Sequence, residues 1–127
     1  MAYSMQQGVT STLVRGCLVV TLPGELADHL ADIQAAVLDG VRETGTRVAV
    51  IELSAVKVLD CVEFAGIRDL VGMVRLLGVR PFLVGLSPGI VAYLVSNDAD
   101  TSGLEVERAL EDALDRATSA GESRMAR

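Results

Sequence analysis

The chain has 127 residues, enough for one domain that buries about two-thirds of the surface its unfolded form exposes. Half of the residues are hydrophobic, only 3% are aromatic and none is Trp, so the core is aliphatic and a site built on base or sugar stacking is disfavoured. The net charge is -6 and the ten Arg and one Lys are scattered, which leaves no basic footprint for nucleic acid or an anionic membrane.

In chain order, residues 1–8 are small and polar and read as a flexible N-terminus. Residues 12–15 and 17–21, separated by Gly16, have the β-branched character of two strands, either a hairpin or a bent pair. Pro23-Gly24 breaks the second strand. A helix is predicted over 26–43, because Leu26, Leu30, Ile33, Val37 and Val41 recur at steps of three and four. The lone His29 flanks that stripe and reads as a solvated surface residue, since no second ligand type lies near it. Gly45 ends the helix as a C-terminal cap.

The stretch 48–67, VAVIELSAVKVLDCVEFAGI, organises the rest. Its first four residues read as a strand buried on both faces. After a small, polar connection, Asp60 has the position and chemistry of an N-cap, and Glu63 three residues on has the spacing of a capping box. Cys61 then falls at the first helical position, beside a strand end, where open α/β sheets commonly meet their ligands and partners. The helix carries Ile67, Leu70, Val71, Val74 and Leu77 on one stripe and stops at Gly78. A strand at 81–84 follows, with Pro81 at its start. Ser87 and Pro88 are an N-cap and a first helical residue for a helix ending near Val95. A weak strand near 104–106 and a helix over 108–117 complete the domain, and 118–127 reads as a flexible tail.

The order is β-β-α-β-α-β-α-(β)-α. If the central strands are parallel, the turns at 53–61 and 85–88 leave the sheet at the same end. One edge then carries Ser54, Asp60, Cys61 and Ser87. The sequence holds no Gly-rich phosphate loop: Gly85-Leu86-Ser87-Pro88-Gly89 lacks both the spacing and the lysine. Cys17 and Cys61 have no metal spacing; a disulfide between them stays open, and an intracellular setting favours free thiols. Cys61 is the one candidate nucleophile, but no cationic base stands beside it in sequence and the Asp60 carboxylate opposes a neighbouring thiolate. A contact or structural role outweighs a catalytic one. No apolar run exceeds strand length, and the first residues lack the pattern of a secretory signal, so a cytoplasmic protein is expected.

The run ELSAVKVLDC leading into a helix, followed by a strand and GLSPGI, resembles the STAS domain of bacterial anti-sigma-factor antagonists. Gly85-Leu86-Ser87-Pro88-Gly89-Ile90 and the bare domain without a sensor module are most similar to the small scaffold subunit of the stressosome, the RsbS type. The resemblance spans about residues 10–117, within a single domain placed at 9–117. It implies an α/β fold, a central mixed sheet of four to five strands flanked by about four helices. It also implies a non-enzymatic regulator without cofactor or metal, whose partners are a serine/threonine switch kinase or anti-sigma protein and other STAS proteins. In such proteins the kinase phosphorylates a Ser or Thr directly after the Asp at the start of the second helix. Here that position is Cys61, after a matching Asp60, and a second family position inside the next helix falls on Tyr93. The docking rim implied is Asp60, Val62, Glu63, Ser87 and Pro88, and Ser54 is the nearby hydroxyl that offers a substitute acceptor, though its commoner role is capping the turn. The alternatives are a thiol redox sensor acting through Cys61 and a soluble STAS partner of a transport system.

Overall fold

The computed structural model describes residues 2–4 and 8–125, with side chains for 8–119. Its elements are β1 (Ala2–Ser4), β2 (Thr10–Val14), β3 (Cys17–Thr21), α1 (Leu30–Thr44), β4 (Val48–Glu52), α2 (Cys61–Leu76), β5 (Arg80–Val84), α3 (Pro88–Ser96), β6 (Val106–Glu107) and α4 (Leu110–Met125). The strands lie side by side in chain order. β1 to β3 are mutually antiparallel, and β3 to β6 run parallel. This is the expected mixed α/β sheet, with the edge strand Ala2–Ser4 added to it.

Strand periodicity divides the core in two. Leu18, Val20, Ala49, Ile51 and Leu83 point to one face and pack with Ile33, Val37 and Val41 of α1, Ile67, Leu70 and Val74 of α2, and Ile90 and Leu94 of α3. Cys17, Val19, Val50, Phe82 and Val84 point to the other face and meet Ala113 and Leu114 of α4. Ala49, Val50 and Ile51 are therefore all fully buried, as a strand covered on both sides requires. Helices α1 and α2 approach closely at Gly66, where a Cβ would strike the side chain of Leu30. The Gln34 amide donates across that contact to the Gly66 carbonyl at 2.8 Å.

Apart from shifts of one or two residues at other ends, three boundaries differ from the sequence reading, each for a local reason. Helix α1 begins at Leu30 rather than Leu26, because Asp28 has φ 66° and a left-handed residue cannot continue a helix. Leu26 is nevertheless buried, held in a turn closed by His29 N–H to its carbonyl at 3.2 Å. Helix α4 continues to Met125, through residues read as a flexible tail. A helix that rests one narrow face on a sheet is polar on its remaining sides, and that composition resembles a tail in the sequence. Ala2–Ser4, read as flexible, pairs with Thr10–Thr12 at the edge of the sheet, and three edge residues carry no legible alternation.

Candidate functional site

Strands β4 and β5 are parallel and in register from Val48↔Arg80 to Glu52↔Val84, so both following loops leave the same end of the sheet. The longer loop, 53–59, is pinned by Leu53, Val56 and Leu59, which are buried while Ser54, Ala55, Lys57 and Val58 face solvent. That anchoring delivers Asp60 to the start of α2. Asp60 has extended backbone, its Oδ1 accepts from Glu63 N–H at 2.7 Å, and Glu63 Oε1 accepts from Asp60 N–H at 3.0 Å. Both arms of the capping box are present, and they satisfy two of the helix's free donors. On the shorter loop Ser87 Oγ accepts from Ile90 N–H at 3.3 Å, and Pro88 occupies the first turn of α3.

The two loops touch at Gly85. With φ 82° it turns the chain where a side chain would meet Ser54 and Glu52. The sequence reading gave the turn after β4 to the Ser54 hydroxyl, but the Glu52 carboxylate performs it, with Oε1 accepting from Ser54 N–H at 2.7 Å. Ser54 is exposed and its hydroxyl makes no hydrogen bond to a described residue.

Cys61 is half-buried and a free thiol, as is the buried Cys17. Residues after it divide sharply. Phe64 enters the core, whereas Val62 is 77% exposed, an apolar side chain the fold does not use. Val58, just before the cap, is similarly exposed at 71%. Glu63 is half-buried because it folds back on the cap, and Asp60, Ser87 and Pro88 are exposed. Tyr93 of α3 reaches this rim. Its hydroxyl lies beside the Cys61 sulfur and near the Asp60 carboxylate, and negative charge at Cys61 above all, with some loss of solvent and the charge of Asp60, pushes its pKa above the ordinary phenol value. Ile90 and Leu94 point inward, so helical spacing sets Tyr93 on the flank of α3 towards α2 and Val91 and Val95 on the other flank.

The arrangement is thus an exposed, apolar and acidic rim made by Val58, Val62, Asp60, Glu52 and Tyr93 around one thiol. Among the described residues no cluster of His, Cys, Asp and Glu has metal-binding geometry. No helix among the described residues is long and apolar enough to cross a membrane. His29 is exposed at the head of α1 and makes no side-chain cap. Sequence reasoning did not find the Tyr93–Cys61 contact or the close approach at Gly85. The first had a signal in the family position that falls on Tyr93, and the second had one in a glycine directly after a buried strand.

Comparison with known proteins places this geometry. The STAS domain family matches residues 9–113, most of the chain, and the chain belongs to that family. No curated protein sequence matches it. Among solved structures it is similar to a Moorella thermoacetica RsbS variant, with a TM-score of 0.75 and 21% identity over 90% of this chain and 97% of that one. It is also similar to the anti-sigma factor antagonist SpoIIAA in its unphosphorylated form, with a TM-score of 0.65 and 18% identity over 91% and 97% of the two chains. A part of the murine Solute Carrier 26 family member A9 anion transporter matches as well, with a TM-score of 0.64 and 18% identity over 84% of this chain and 18% of the transporter. At these identities the likeness establishes a shared fold.

Proposed function

We propose that this STAS protein is a non-enzymatic cytoplasmic scaffold that docks a serine/threonine switch kinase or an anti-sigma partner and assembles with other STAS proteins. The observation that carries the reading is Val62, an apolar residue 77% exposed on the first turn of α2, next to the position where related proteins carry a phosphoacceptor. It stands in one rim with the exposed Val58 and Tyr93, and exposed apolar side chains gathered at one place mark interaction surfaces. The carboxylates of Glu52, Asp60 and Glu63 give the rim a negative edge that selects a partner with basic side chains.

Cys61 replaces the hydroxyl that the switch requires, so the partner is held without phosphate-driven release. The capping box keeps the backbone of that site intact, and serine differs from cysteine by one atom. Cys61→Ser therefore leaves the fold unchanged and, with the cognate kinase and ATP, makes the protein a substrate at that position. The added phosphate brings a charge of about -2 beside Asp60 and Glu63 and weakens the complex. Mass spectrometry followed by a binding titration reads both effects, with wild type unmodified or labelled only elsewhere, Ser54 first. A kinase that binds the variant and leaves it unlabelled refutes the acceptor geometry. Alone the protein is a monomer or dimer, and with a sensor-bearing STAS paralogue it forms a much larger particle, measurable by light scattering after size exclusion.

The half-buried thiol against Tyr93 favours one second reading, a redox-responsive contact. Loss of the partner after mild peroxide, with the oxidation mapped to Cys61, identifies it. The transporter likeness adds a third, a soluble partner of a transport system, which a pull-down that recovers no ATP-binding kinase would favour.

A further inference from the structure

The opposite end of the sheet carries a cleft of about 830 Å3, a size suited to a small molecule. It lies where β3, β4 and β5 begin, whereas the Cys61 rim lies where β4 and β5 end. Arg15 from the β2–β3 turn, Arg47 just before β4 and Arg80 at the head of β5 all line it. Among the described residues no carboxylate does, in a chain whose 17 acidic residues outnumber its 11 basic ones.

The three arginines are held differently. Arg80 is committed elsewhere: its Nε and Nη2 donate to Glu105 at 2.7 and 2.6 Å, and its guanidinium lies 4.7 Å from the centre of the Phe82 ring. It forms a fixed wall. Arg15 has one ion pair, 2.9 Å to Asp115, between two well-exposed side chains, and such a bridge holds its partners weakly. Arg47 is exposed and has no ion pair with a described residue. One guanidinium is therefore free and a second is easily released. The Thr46 hydroxyl is already used, donating to the Val48 carbonyl at 2.7 Å, and so shapes the floor.

The rest of the lining mixes the aliphatic Leu13, Val48 and Ala117 with glycines and the threonines Thr44, Thr46 and Thr118, and among the described residues no aromatic side chain lines it. Guanidinium groups recognise oxyanions through charge-assisted hydrogen bonds, and aliphatic walls without rings accommodate an alkyl body rather than a stacked base. We propose that this cleft binds a small organic anion, an alkyl phosphate or carboxylate. Arg47 and a released Arg15 hold the head group, and the alkyl chain lies along Val48 and Ala117 on the α4 face of the sheet. The site is separate from the Cys61 rim, and its existence does not depend on the partner proposed for that rim.

The test is titration of hexyl phosphate into the isotope-labelled full chain, followed by backbone amide shifts. Saturable shifts are expected at Gly16, Gly45 and Thr46, with residues 60–63 unmoved. Arg47→Gln removes a charge-assisted contact and weakens binding at least tenfold, while Arg47→Lys retains part of it. Asp115→Asn frees Arg15, removes a nearby negative charge and tightens binding several-fold. Because the alkyl chain contributes, inorganic phosphate binds at least tenfold more weakly than hexyl phosphate. Shifts that do not saturate, an unchanged affinity in Arg47→Gln, or shifts centred on the Cys61 rim would overturn the site. Equal affinity for the two phosphates would overturn the aliphatic ligand class, and an Asp115→Asn variant that binds no more tightly would overturn the role of Arg15.

Discussion

Gly85 ties the two loops of the Cys61 rim together, and Gly85→Ala is the sharpest probe of how that rim is held. The φ of 82° is left-handed, and an L side chain there costs about 1–2 kcal/mol before any contact is counted. The added Cβ would also lie 2.9 Å from the Ser54 nitrogen and strike the Ser54 hydroxyl and a Glu52 carboxylate oxygen. Relief requires the loop after β4 to move, which disturbs the 2.7 Å bond from Ser54 N–H to that carboxylate. The bond is solvent-exposed, so its loss and the accompanying shift add about 1–2 kcal/mol. The sum is a destabilisation of about 2–4 kcal/mol, which for a domain of this size lowers the melting temperature by about 8–16 °C. Urea unfolding at 25 °C measures it directly, with an unchanged slope expected. Gly89→Ala is the control, since a Cβ at Gly89 meets nothing within 4 Å, and alanine in helix α3 is neutral or stabilising by up to about 1 kcal/mol. A Gly85→Ala variant within about 0.5 kcal/mol of wild type would refute the close approach of the two loops.

Val62→Asp places a charge on the exposed rim; stability should change by no more than about 0.5 kcal/mol while partner affinity falls at least tenfold, and retained affinity in a binding titration rules this face out as the interface. A thiol reagent should titrate the half-buried Cys61 in the native protein and both cysteines only in denaturant, because Cys17 is buried and burial pushes its thiol pKa up; equal native rates contradict the burial. Glu105→Gln should cost about 1–2 kcal/mol at pH 7, since the Glu105 carboxylate takes hydrogen bonds from Arg80 and Arg116 while staying partly exposed. The Arg80 hydrogen bond holds the Glu105 pKa below the ordinary carboxylate range. Its contribution is therefore fully present above the unfolded value near about 4.3 and lost as pH falls through the lower folded value, so wild type and variant should converge in acid. A constant gap in denaturation midpoints across that pH range would contradict the assignment.

The sequence made legible whatever has a period or a cap. Val48–Glu52 and Arg80–Val84 stand out by apolar runs, α2 by its stripe and by Asp60 with Glu63, and α3 by Ser87-Pro88. What stayed hidden depends on contacts between distant segments. Asp28 is an ordinary helix-surface residue in a one-dimensional reading, and only its backbone angle delays α1. Arg80, Glu105, Arg116 and Glu107 form a chain of ion pairs over Phe82, yet each reads in isolation as a solvated charge. The Cys61 rim was legible as a set of positions because two parallel strands must release their loops at one end. Val62 was placed in that rim, but how far it stands out was not legible, because it sits beside a helical stripe and a spacing pattern does not say how wide that stripe is.

The capping geometry also separates two roles that a phosphoacceptor motif joins. In this chain both carboxylates of the first turn are occupied with backbone, Asp60 with Glu63 N–H and Glu63 with Asp60 N–H. Asp60 is therefore fully accounted for as the residue that starts α2, with a replacement cost of about 1 kcal/mol whatever the partner does. The residue after it takes no part in the cap, and Cys61 only rests half-buried against the edge of the core. A side chain of similar size there keeps the same packing, so exchange of Cys61 for serine should leave the fold intact. In the proposed reading the structural and signalling constraints thus fall on adjacent residues. On the proposed function, a chain with Asp60 and Glu63 in place and Cys61 between them would keep a docking surface and lack the hydroxyl whose phosphorylation would release the partner.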